Sequence, residues 1–220
     1  MLFTTVIAAL CVALPILVIV SFVITGISDA WSHLFDTLLG RYALNSLMLS
    51  VLVAIGVVML GVPGAWIISF YRFKGRGILS WLLLLPMAYP AYILAYTYTG
   101  VLDFSGPILT FLRDAGAPHW LMSPLLNIRS LPGAALMLSL VLYPYVYLLA
   151  RAAFLQQSAN LMEAGYTLGQ SRLSVFRRIV IPMARPAIAA GALLAIMETV
   201  ADFGTVQFFG VQTFTTGIIR

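Results

Sequence analysis

The side chains able to do chemistry are few enough to weigh one at a time: twelve Lys and Arg, seven Asp and Glu, two His and one Cys in 220 residues. His33 and His119 stand far apart, with no HExxH and no paired cysteines, so the ligands of an ordinary zinc or iron–sulfur centre are missing. Cys11 excludes a disulfide within the chain and lies in an apolar run as a packing residue. The one lysine, in Phe73-Lys74-Gly75, is not part of a GxxxxGK[ST] loop that would cradle ATP phosphates. No nucleophile has an attendant base, which leaves a membrane-enzyme reading without a starting point. Two acidic placements remain. Glu163 is the single acid in a basic stretch, and Glu198 and Asp202 stand four apart at the end of an apolar run.

The elements that must position these acids are membrane helices. A chain 62% hydrophobic and 9% charged, against roughly 25% charged in an ordinary soluble domain, would present an oily surface to water. About 20 apolar residues cross a hydrocarbon core about 30 Å thick. Residues 2–26, 44–70, 78–98 and 131–150 meet that length, and 187–200 forms a fifth span with a polar mouth at Glu198 and Asp202. The fold class expected is all-α, a polytopic transmembrane bundle of about five spans. The first run is longer than a signal-peptide core and lacks a basic leader and a small-x-small cleavage site, so a retained helix is expected. The lack of N-terminal Lys or Arg suggests a natural chain that begins further upstream.

Basic residues set the sidedness. Residues 71–77 carry Arg72, Lys74 and Arg76, and residues 151–185 carry Arg151, Arg172, Arg177, Arg178 and Arg185; both loops are expected inside. Arg41, Arg113, Arg129 and Arg220 then face out, with every acid except Glu163. Pro63, Pro86, Pro90 and Pro144 each delete a backbone donor and invite a kink, which reads either as a moving bundle or as static packing. The connection 99–130, with Pro107, Gly116, Pro118 and Pro124, is long enough for a short interfacial helix.

The inner loop is patterned as two short helices. Asn160 and Glu163 form a capping box, and Leu161, Ala164, Gly165 and Leu168 follow at helical spacing. Gly169 can take the left-handed conformation that ends such a helix. A second helix is expected with Leu173, Phe176 and Val180 on one side and Arg172, Arg177 and Arg178 around it. Pro182 would stop it, Ile181 being biased out of the helical region. Periodicity leaves open a basic hairpin on anionic headgroups, a loop folded under its own bundle, or a docking element. Glu198 and Asp202 are likewise open to two readings on one helix face. Burying an ionisable group in the membrane costs roughly 2.5–3.5 kcal/mol, so they are either an interfacial pair or the lining of an outer vestibule, with Gly204 and Gly210 breaking the helix beside it.

Glu163-Ala164-Gly165, three residues, Gly169, nine residues, then Ile179-Val180-Ile181-Pro182 resembles the EAA-x3-G-x9-I-x-L-P motif of permease subunits of bacterial ABC importers. By average residue usage, a chance match in a chain this long is on the order of one in ten thousand. Gly165 stands in place of the second alanine and Ile181 in place of leucine. The resemblance implies a type I importer bundle whose loop is a coupling helix seated in a cytoplasmic ATPase. Glu163 would make the charged contact, Gly169 the turn and Pro182 the return to the membrane, with Ala164, Gly165, Ile179 and Ile181 completing the motif. The stretch from Glu198 to Ile218 resembles the ferric-iron branch of these permeases.

By that resemblance, residues 1–43 are a first helix and outer loop, and 44–220 the importer's transmembrane domain, incomplete at its C-terminal end. Members of the branch carry two tandem halves, so a fragment or truncated product that does not transport alone is expected. The implied partners are ABC ATPase subunits, a periplasmic substrate-binding protein, a second permease half and the bilayer of a bacterial inner membrane, with no nucleic acid. No cofactor or metal is expected on this chain, ATP being used by the partner. A polyamine, thiamine, molybdate or sulfate permease remains an alternative, as does a secondary carrier relaying protons or cations through Glu198 and Asp202.

Overall fold

A computed structural model describes residues 13–14, 16–18, 20–21, 38–103, 105–116, 118, 128–157, 165, 167 and 169–219. The chain divides into two compact units, Met1–Arg41 and Tyr42–Arg220. In the first, the described residues between 13 and 21 are helical; most of the expected span 2–26 lies outside the described residues, as do Asn160, Leu161, Glu163, Ala164 and Leu168.

Helix α1, Gly40–Phe70, has 31 residues and is therefore about 46 Å long, more than a bilayer core requires. Leu49, Val53, Val57, Gly61, Ala65 and Ile68 recur at three- and four-residue spacing and form its buried stripe. Leu47, Val51, Ile55 and Met59 lie on exposed positions between them. Pro63 sits inside this helix without ending it.

The expected third span, 78–98, is not one helix. It is divided into α2, Arg76–Leu82, a 3-10 turn Leu85–Ala88, and α3, Ala91–Leu102. Pro86 opens the 3-10 turn, and Pro90 holds Tyr89 before it extended, at φ −121° and ψ 142°. Two prolines four residues apart remove donors from successive turns, which one helix cannot absorb. The connection that follows contains the short helix expected there, α4, Pro107–Asp114.

Helix α5, Leu131–Gln156, is the centre of the bundle. Ser130 caps it by accepting a hydrogen bond from the Gly133 amide, and Pro144 lies within it. Its Val146 is fully buried between two glycines of other helices. A Cβ on Gly61 of α1 would stand 2.8 Å from the Val146 Cβ, and one on Gly191 would stand 2.7 Å from its Cα. Small residues at these two points let three backbones approach closely, the usual means of packing helices without a hydrophobic drive between them.

The last part of the chain comprises a one-turn helix α6, Arg172–Val175, a π-helical turn Phe176–Val180, α7, Ile181–Ala201, and the short helices α8, Gly204–Phe208, and α9, Phe214–Ile219. The helical path runs without a break from Leu173 to Ala201. Among the described residues, this path, α1 and α5 are the three helices long and apolar enough to cross a membrane.

Candidate functional site

The hairpin between α5 and α7 is built around two glycines. Gly169 has φ +73°, and the Gln170 amide donates to the Gly165 carbonyl at 3.1 Å. That is the hydrogen bond of a helix end closed by a left-handed glycine. A Cβ on Gly165 would come within 2.8 Å of the Val175 Cγ2 and 3.3 Å of the Ile179 Cδ1. The chain at Gly165 therefore rests directly on the second arm, where the motif's alanine would require Val175 to move.

The second arm differs from the expected one. Pro182 does not stop it, and Ile181 is helical at φ −63° and ψ −49°. The Ile181 amide donates to the Phe176 carbonyl five residues back, so the wide π turn takes up the disruption that the proline ring causes to the ladder. Phe176 and Val180 are buried, as is Val175, whereas Leu173 is 48% exposed. Glu163 and Ala164 lie outside the described residues.

The arm is fastened to the end of the bundle that carries the basic residues. The Phe176 ring stacks on the Trp66 indole of α1 at 4.3 Å and 19° and meets Phe154 of α5 edge-on at 6.2 Å. Phe154 in turn lies 5.9 Å from Phe70. Beside the rings, the Gln157 side-chain amide donates to the Val180 carbonyl at 3.0 Å. Motif spacing did not point to Trp66, Phe70, Phe154 or Gln157. The available signal was the recurrence of an aromatic residue within a turn of each basic loop.

At the other end of α7, Glu198 lines an open cleft of about 360 Å³. Its walls are the broken segment Met87–Ala91 and Val141, Leu142 and Tyr145 of α5. The non-helical backbone explains the opening: inside a membrane such backbone is tolerated where it is buried in protein or lines a wet cavity. Among the described residues, the lining contains one carboxylate and the aromatic residues Tyr89 and Tyr145, and no Lys, Arg or His. Among the described residues, no three His, Cys, Asp or Glu side chains come together.

Asp202 does not share a helix face with Glu198. The helix ends at Ala201, and Asp202 is extended, at ψ 129°. Its carboxylate accepts hydrogen bonds from the Val206 amide and the Thr205 hydroxyl, both at 3.0 Å, and its carbonyl accepts from the Thr215 hydroxyl at 2.9 Å. It organises the start of α8. Gly204 is the first residue of that helix, and Gly210, at φ +68°, ends it. The sequence offered only an i, i+4 pair of acids, because the breaking glycine comes three residues after Ala201, where the helix has already ended.

A family model described as the binding-protein-dependent transport system inner membrane component matches residues 60–220, more than half of the chain. Among curated proteins, the chain is similar to the Fe(3+)-transport system permease protein FbpB 2 of Haemophilus influenzae, 26% identical over 136 residues, which are 62% of this chain and 22% of that protein. It is 29% identical over 144 residues to the inner membrane ABC transporter permease protein YdcU of Escherichia coli, covering 61% of this chain and 46% of the relative. To the sulfate transport system permease protein CysT of Salmonella typhimurium it is 28% identical over 127 residues, 56% and 42% of the two chains. The chain spans less than half the length of each of these relatives. With its helical bundle and the extent of the match, the chain belongs to the binding-protein-dependent transport system inner membrane components, the permeases of ABC transporters.

Proposed function

We propose that this chain is the membrane-spanning part of an ABC importer of the bacterial inner membrane, working with a second permease half, a periplasmic substrate-binding protein and cytoplasmic ATPase subunits. The observation that supports this reading is the turn: Gly169 has a left-handed φ, Gly165 lies against Val175 and Ile179, and the π turn leading to Ile181 and Pro182 packs on the basic end of the bundle. In this reading Glu163 projects the charged contact to the ATPase. A small knob has little apolar area, so one charged hydrogen bond can set its register.

The substrate we propose is ferric iron. Support comes from the resemblance of Glu198 to Ile218 to the iron branch, from the similarity to an iron(III) permease, and from a cleft whose described lining holds a carboxylate and tyrosines and no base. A hard cation prefers such oxygen donors, whereas sulfate or molybdate is better matched by cationic or amide donors. Asp202 is engaged by its own backbone and side-chain neighbours, which leaves Glu198 as the acid of the pathway.

The test is co-purification and uptake. The chain should bring down its ATPase from membranes, and Glu163→Ala should remove it. In liposomes carrying the assembled importer, iron supplied on the binding protein should accumulate and sulfate should not. Absence of an ATPase from the wild-type preparation would overturn the importer reading; uptake of sulfate in place of iron would overturn the substrate.

A further inference from the structure

We propose that Trp66 and Phe176, together with the Gln157 to Val180 hydrogen bond, form a transmission contact that carries movement of the hairpin into α1 and α5. This inference rests on reading the hairpin as the element that docks on an ATPase. The chain already connects the hairpin to α7, since the helical path is continuous from Leu173 to Ala201. That connection passes through the π turn, which has five-residue hydrogen bonding and is the kind of segment at which a helix bends. A push on the hairpin, carried by this route alone, would be absorbed as bending before it reached Glu198.

The stacked pair removes that freedom. Phe176 is the first residue of the π turn, and its ring is 9% exposed. It lies flat against Trp66, one turn before the end of α1, and edge-on to Phe154 in the last turn of α5. Val180, the last residue of the same turn, is tied to Gln157 just beyond α5. Both ends of the bendable segment are thus fixed to two other helices. Packed rings change arrangement in steps and do not deform smoothly, so hairpin displacement moves the three helix ends together. Trp66 and Phe176 are positioning residues in this account and touch neither nucleotide nor substrate.

The experiment measures ATP hydrolysis and substrate accumulation on the same proteoliposomes, holding the full chain with its ATPase, second half and binding protein. Phe176→Ala and the milder Trp66→Leu should each lower substrate moved per ATP about tenfold, a coupling of usual size, and Trp66→Leu, which lies outside the hairpin, should leave ATPase binding and hydrolysis near wild type. The conservative Phe176→Tyr and Trp66→Phe should retain the wild-type ratio. If hydrolysis and uptake fall in parallel, or the ratio is unchanged in both Phe176→Ala and Trp66→Leu, the contact is ordinary packing and the proposal is wrong. A wild-type chain that binds no ATPase would sink the docking reading itself, a result distinguishable from either.

Discussion

At the scale of single residues, the hairpin glycines and the two acids make separable demands. Gly169 holds a positive φ, which costs an L-residue roughly 1–2 kcal/mol, so Gly169→Ala should loosen the hairpin and weaken ATPase retention several-fold in pull-downs. Gly165→Ala places a methyl against Val175. It should lower stability by about 1–3 kcal/mol as overpacking, and Val175→Ala should recover part of that loss in thermal melts. Glu198→Gln, on an open cleft, should leave stability within about 0.5 kcal/mol and reduce uptake. Asp202→Ala removes the acceptor of two hydrogen bonds and should cost about 1–3 kcal/mol. The turn at Gly169 was legible because a glycine after a short helical pattern has one common use. The role of Asp202 was not, because its partners at Thr205, Val206 and Thr215 become neighbours only once the helix has ended early.

At the scale of elements, prolines decided where reading the sequence succeeded. Pro63 and Pro144 lie inside long helices that were expected from their apolar runs. Pro86 and Pro90 fall in a run just as apolar, yet their four-residue spacing breaks it and opens the cleft. Pro182 was expected to end a helix, and the π turn before it carries the helix through; local preference at Ile181 yields when burial of Phe176 and Val180 holds the segment in place. The central packing was not legible either, since Gly61 and Gly191 acquire their function only by meeting the same Val146 from two helices. Gly61→Val and Gly191→Val should each destabilise the protein by about 1–3 kcal/mol, measured by thermal unfolding in detergent, with larger losses than the same change at Gly77, which has open space around it.

At the scale of the whole molecule, the bundle leaves apolar side chains uncovered on helices that are long enough to span a membrane: Leu47 and Met59 of α1, Leu193 and Met197 of α7. Lipid tails and, in the proposed assembly, a second permease half would cover them. Membrane character followed from composition alone. The placement of the hairpin's second arm against α1 and α5 at one end of α7, with an acid near the other, required the structure, because a sequence motif marks a loop without saying what it leans on. The claim on which the functional account depends is that this hairpin faces the cytoplasm, where an ATPase can grip it. Arg177 is exposed on its second arm, and the one native cysteine, Cys11, can be replaced. A membrane-impermeant thiol reagent applied to Arg177→Cys in a Cys11→Ser background should label inside-out vesicles and leave right-side-out vesicles unlabelled. Labelling from the periplasmic face would contradict the account.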